Sequence, residues 1–86
     1  MHEMSLAVEI CRLTEARLDP ADHPRLRRVG VIVGEDAGIE PASLEFCLEA
    51  LLGQSPFGRA VPVITRTTGT DLSISFFEVE DGSPDD

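Results

Sequence analysis

Apolar positions at the start of the chain recur at helical spacing. Leu6, Ile10, Leu13 and Thr14, flanked by Ala7, Cys11 and Leu18, fall on one broad face, while Glu9, Arg12 and Glu15 point away from it. Ser5 is placed to cap this helix, which the pattern carries to about Leu18. Asp19-Pro20-Ala21-Asp22-His23-Pro24 ends it, because two prolines and two aspartates favour turns over continuation. His23 is expected in that loop as a solvated surface residue. From Leu26 to Gly34 the period changes to two: Val29, Val31 and Val33 share one side, with Gly30 and Ile32 on the other. This predicts a strand with one well-covered face.

Gly34-Glu35-Asp36-Ala37-Gly38 reads as a loop, and Pro41 suits the first position of a second helix, where its missing N–H is no loss. Leu44, Cys47, Leu48 and Leu51 recur at i, i+3, i+4 and i+7 and predict its buried stripe; Glu45, Glu49 and Phe46 lie off it. Gly53 is placed to close the helix in the left-handed conformation. After a polar connector, Ala60 to Arg66 predicts a short strand at a sheet edge, since Pro62 cannot donate to a ladder. Thr67-Thr68-Gly69-Thr70 is a turn. Asp71 to Glu80 is the last strand, with Leu72, Ile74 and Phe76 alternating with Ser73, Ser75 and Phe77.

The element order is helix, strand, helix, strand, strand. It predicts an α/β domain of the α+β kind, a three-stranded mixed sheet with both helices packed on one face. A right-handed helical crossover would join the first two strands, and a hairpin the last two. Residues 1–80 are expected to form one domain, and Asp81-Gly82-Ser83-Pro84-Asp85-Asp86 an acidic, disordered tail. Phe46 and Phe77 each lie off the buried stripe of their own element, which predicts a homodimer or another partner covering one or both.

The chain has 86 residues, 42% of them hydrophobic, which fits one small soluble domain. Its net charge of −9 repels phosphate backbones and anionic lipid, so nucleic-acid and membrane-surface binding are not expected. No apolar run approaches a membrane span, and the start lacks the basic and apolar regions of a signal peptide; a cytoplasmic protein is expected. Cys11 and Cys47 form no CxxC pair and fall among apolar residues, so each is expected as a reduced core side chain. No Ser/His/Asp or Cys/His grouping and no phosphate-binding glycine loop is visible, so an enzyme is not expected.

The candidate chemistry lies at the beginning. In Met1-His2-Glu3-Met4-Ser5-Leu6 an imidazole sits one residue from the α-amine. Those two nitrogens, with the peptide nitrogen between them, close two fused chelate rings on one metal ion. Such a planar nitrogen set suits Ni(II) or Cu(II) better than tetrahedral Zn(II). Both groups titrate near or below neutrality, so a metal can displace their protons. A terminal His carries little weight alone, because chain ends tolerate any residue.

The opening hexapeptide resembles the N-terminal signature of the HypA/HybF nickel-incorporation proteins of hydrogenase maturation. The resemblance continues through Val31-Ile32-Val33-Gly34, Gly38-Ile39-Glu40-Pro41, Leu44, Phe46 and Glu49, then Gly58-Arg59-Ala60. It returns in Leu72-Ser73-Ile74-Ser75 and Glu78-Val79-Glu80. It implies a nickel metallochaperone whose ligands are the Met1 amine, the His2 imidazole and the backbone nitrogens of His2 and Glu3. In some members an acidic side chain at the position of Glu40 adds an oxygen, and Glu3 more often orients the site than binds. Glu40 also reads as a cap before Pro41, where a carboxylate complements the helix dipole. The resemblance implies a HypB-type GTPase and a hydrogenase large subunit as partners. This sequence departs from the family in two places. Two CxxC pairs that bind structural zinc in the family are replaced by Thr67-Thr68-Gly69-Thr70, so no structural zinc is expected. Asp36 stands where the family usually has an apolar residue. The alternative reading is a non-metallated interaction module that has lost regulated delivery.

Overall fold

In the computed structural model, which describes residues 3–80, the strand Leu26–Gly34 (β1) runs through the middle of a three-stranded sheet. Its neighbours are Val61–Thr67 (β2), parallel to it, and Leu72–Val79 (β3), antiparallel. Two α-helices complete the core, Glu3–Arg17 (α1) and Pro41–Leu52 (α2), and Pro20–Arg25 forms a 3-10 helix between α1 and β1. The acidic segment 81–86 lies outside the described residues. No helix among those described is long and apolar enough to cross a membrane.

The valine alternation places Val29, Val31 and Val33 on the helix-covered face, where they are buried. Leu26 joins them, and Ala7, Ile10, Leu44, Leu48 and Leu52 meet them from the helices. Helix α2 turns Leu44, Leu48 and Leu52 inward, all fully buried, while Cys47 and Leu51 are half-buried. The fully buried stripe therefore follows i, i+4, i+8, with Cys47 and Leu51 of the expected stripe partly buried against the core beside it. Truncating one of these leucines to Ala should cost roughly 2–5 kcal/mol, against a total stability of about 5–15 kcal/mol for a domain. Thr14 is buried too, and its hydroxyl donates to the Ile10 carbonyl at 2.7 Å, which satisfies it.

Several expectations are corrected. The last two strands do not pair as a hairpin: the sheet order is β2-β1-β3. The turn after β2 instead crosses the end of β1, where Gly34 N–H donates to Asp71 O, Glu35 N–H to Thr67 O and Asp36 N–H to Gly69 O at 2.6–2.8 Å. Those donors belong to the exit of β1, so they hold the turn over that strand and deliver β3 to its far edge. Gly53 has φ −80 and closes α2 without the left-handed conformation, its N–H reaching Glu49 O and Leu51 O. Helix α1 starts at Glu3, which leaves Ser5 inside it and exposed, not capping it.

The strict alternation expected in β3 breaks at Ser75. Gly30 pairs with Phe76 but Val31 with Ile74, so Ser75 is an extra, bulged residue. The bulge changes the phase: Leu72 and Ile74, then Phe77 and Val79, pack against the core cluster. Phe77 thus finds cover within its own chain, contrary to expectation. Phe76 goes to the outer face, 41% exposed, over Gly30. A Cβ on Gly30 would run into the Phe76 ring and Ser75 Oγ, and one on Gly34 into the backbone of Gly69 and Asp71.

These contacts predict different responses. Gly30→Ala should destabilise by about 1–3 kcal/mol, and part of that loss should be recovered in a Phe76→Ala background, where the ring is gone. Gly34→Ala meets backbone, so Phe76→Ala should leave its loss unchanged. Urea unfolding of the three single and two double variants checks both.

Candidate metal centre

Helices α1 and α2 lie side by side in the same direction. Glu3 and Glu40 meet at one end, and Cys11 and Glu15 share a groove with Leu51 and Gln54 at the other. Two positive helix termini therefore converge at one corner of the sheet. Glu40 is extended (φ −84, ψ 110) immediately before Pro41, and its Oε1 accepts from Ala42 N–H at 2.9 Å, so its capping role is present. Its carbonyl starts the helical ladder by accepting from Leu44 N–H at 3.0 Å. Glu3, in the first turn of α1, accepts Glu40 N–H on Oε2 at 3.0 Å. The first turn of one helix is thereby tied to the cap of the other.

A groove of about 510 Å³ opens beside this corner. Val33, Ile39 and Pro41 supply its apolar lining, and Glu35, Glu40 and Arg66 its charges. Arg66 gets there because β2 pairs in parallel with β1 in the register that sets Val33 beside it. Neither Glu35 nor Arg66 carried a signal in the sequence, since strand register alone brings them to Glu40.

Of the four candidate ligands, the structure brings Glu3 and Glu40 together, while Met1 and His2 lie outside the described residues. Among the described residues no group of three or more His, Cys, Asp or Glu side chains could hold a metal ion. Two carboxylates alone make a weak transition-metal site, and the corner as described lacks nitrogen donors from side chains. Cys11 and Cys47 are free and half-buried, on different helices. Burial, and secondarily the charge of Glu15, pushes the Cys11 thiol up to about 11, so it stays protonated and a poor ligand near neutrality. His23 is not the solvated residue expected. It is half-buried, edge-on to Phe57 with ring centroids 5.5 Å apart, and its Nε2 lies 3.1 Å from the Glu15 carbonyl. Those contacts tie the 3-10 helix to the end of α1 and make His23 structural.

A family model described as HypA, hydrogenase/urease nickel incorporation, metallochaperone, matches residues 1–74. The hydrogenase maturation factor HypA of Pelodictyon phaeoclathratiforme is 40% identical over 69 residues, which cover 80% of this chain and 59% of the relative. That of Chlorobium limicola is 44% identical over 50 residues, 58% of this chain and 43% of the relative. That of Desulfatibacillum aliphaticivorans is 29% identical over 100 residues, 99% of this chain and 76% of the relative. The chain spans about half the length of the first two.

If Glu3 ties the two helices, Glu3→Ala should destabilise by about 1 kcal/mol through loss of the bond from Glu40 N–H, and Glu40→Ala by a similar amount through loss of its cap on Ala42 N–H, with near-additive effects because the two bonds share no side chain. An unchanged stability for Glu3→Ala in denaturant titrations would show that the link contributes nothing. Cys11 in the folded protein should react slowly with iodoacetamide at neutral pH, and its rate should rise with pH up to about 11. The sign follows from its raised folded value: the neutral thiol is the stabilised form. Stability should therefore be full below the ordinary thiol value of 9.0 and fall as pH climbs towards 11.

Proposed function

This chain belongs to the HypA family of hydrogenase/urease nickel-incorporation metallochaperones, and on that premise we propose that it binds one Ni(II) at its N-terminus for nickel-iron hydrogenase maturation. Nickel here is cargo. The Met1 amine, the His2 imidazole and the backbone nitrogens of His2 and Glu3 supply the planar donor set. Glu40 is exposed and offers its remaining carboxylate oxygen as a further ligand.

The observation that supports this reading is the bond from Glu40 N–H to Glu3. It holds the chain's entry into α1 against the cap of α2. Met1 and His2 directly precede Glu3, and two residues reach at most about 7 Å. On this reading the amine and imidazole act at the same corner as Glu40. With its Oε2 engaged by backbone, Glu3 acts as the residue that orients the terminus. The reading assigns residues 1–80 to a nickel-binding domain and 81–86 to an acidic tail. It includes no structural zinc, since the turn joining β2 to β3 carries no cysteine. A HypB-type GTPase, the hydrogenase large subunit and a second copy of this chain are its partners, in the cytoplasm. The Phe46 ring, 71% exposed on α2, supports a protein contact on the helical side.

Titration of the untagged protein with Ni(II) tests the assignment. About one equivalent should bind with absorbance typical of planar nitrogen coordination. Glu3→Gln should weaken binding roughly 10–100-fold, as loss of an orienting partner does; His2→Ala should weaken it further, and His23→Ala should not weaken it. Residues left before Met1 by a tag turn the amine into an amide and should weaken binding without unfolding the protein. Equal affinity for all these forms removes the terminal site, and no binding by any of them favours the interaction-module reading.

A further inference from the structure

None of the ion pairs among the described residues involves the groove beside Glu40. Arg12 pairs with Glu9, Arg25 with Asp22, Arg27 with Glu80 and Arg28 with Glu78. In the groove, Glu35 and Arg66 are both exposed, and neither side chain makes an ion pair or hydrogen bond among the described residues. Arg66 is also poorly placed for stability. It borders a second hollow with Pro41, Ala42 and Glu45, so it stands beside the first turn of α2, where the helix end is positive. Folding stability therefore gives no reason for a cation at this position.

We propose that this groove is the entry path of the nickel cargo, where Glu35 attracts the hydrated dication and Arg66 limits its capture. The inference rests on the terminal site of the proposed function, which the groove adjoins through Glu40. Space permits the encounter. A dication with six waters occupies roughly 200 Å³ at about 30 Å³ per water, and the groove holds about 510 Å³. Glu35 and Glu40 can accept hydrogen bonds from those waters, whereas Val33 and Ile39 make no claim on them. Before any donor binds, the ion carries its full double charge, so a carboxylate raises its local concentration and a guanidinium lowers it. At a separation of about 8 Å in water, one unit charge changes that concentration roughly threefold at low salt. Protons displaced later, as nitrogen donors engage, do not alter this first step. Arg66 thereby keeps a chain of net charge −9 from gathering every passing divalent ion at the corner.

Stopped-flow absorbance of the untagged protein mixed with Ni(II) tests the proposal. At about 0.05 M salt, Arg66→Gln should speed association roughly threefold and Arg66→Glu about sevenfold, while Arg66→Lys keeps the original rate. Glu35→Gln should slow association roughly threefold. At about 1 M salt, where screening acts within about 3 Å, the forms should become alike. A merely structural role would follow neither the sign of the charge nor the salt. Both side chains are exposed, so the variants should keep the fold, which circular dichroism checks. Arg59, beside Arg27 and Arg28 at the other end of the sheet, is the control. It precedes Arg66 along β2 by about 23 Å, so Arg59→Gln should leave the rate nearly unchanged. Equal responses at Arg59 and Arg66 overturn the proposal, since net charge alone would then act. Nickel binding at rates indifferent to Arg66 and Glu35 overturns it too and leaves the terminal site standing. No nickel binding by the unaltered protein removes the terminal site and the entry path together.

Discussion

Both edges of β1 are consumed, one by a parallel and one by an antiparallel neighbour, and the chain must therefore cross the end of β1 to place β3. Three backbone donors, at Gly34, Glu35 and Asp36, hold that crossing. They require close approach at Gly34, where any side chain would strike the backbone of Gly69 and Asp71. The arrangement puts the exit of β1, the turn after β2 and the start of α2 at the same end of the molecule. It also sets Arg66 beside Val33 and opens the groove next to Glu40. Without the crossing, β3 would have no reason to lie on the far side of β1.

The candidate metal corner rests on this frame. Parallel helices are unfavourable end to end, because like dipole ends lie together. Here that repulsion has a use: two positive ends are met by two carboxylates, Glu3 and Glu40, each accepting a backbone N–H. The Glu3 carboxylate ties the helices, the Glu40 carboxylate caps its own helix, and together they put negative charge at this corner. Nitrogen donors come from the terminus itself in the proposed function, so the folded domain supplies position and charge where the terminal residues supply ligands.

The sheet divides the molecule into surfaces with different properties. Helices cover one face; the other carries Arg28, Gly30 and Ile32 of β1, with Phe76 folded across the glycine. The 3-10 helix is fastened by His23 between Phe57 and the Glu15 carbonyl, and by Arg25, which reaches the Glu80 carbonyl at 2.7 Å. The Arg27–Glu80 and Arg28–Glu78 pairs are exposed and contribute at most about 1 kcal/mol each. Apolar burial around the three valines, not ion pairing, therefore dominates the stability of this fold.

The sequence by itself determined the elements and marked a candidate for the chemistry. Helical periodicity from Leu6, valine alternation in β1, Pro41 behind a capping Glu40 and the Met1-His2-Glu3 opening are local signals, and each depends only on residues within a turn or two. Pro62 likewise marked β2 as an edge. What those signals could not carry was decided between elements. The order β2-β1-β3 depends on hydrogen bonds between residues more than thirty apart, such as Glu35 and Thr67, and alternation within a strand says nothing about which edge it joins. The phase of β3 turned on one bulged residue, Ser75, which sent Phe76 outward and Phe77 inward. The fully buried stripe of α2 fell on Leu44, Leu48 and Leu52, with Cys47 and Leu51 partly buried at its margin. The tie between Glu3 and Glu40 joins residues 37 apart, and only the packing of two helices in the same direction brings their ends into contact.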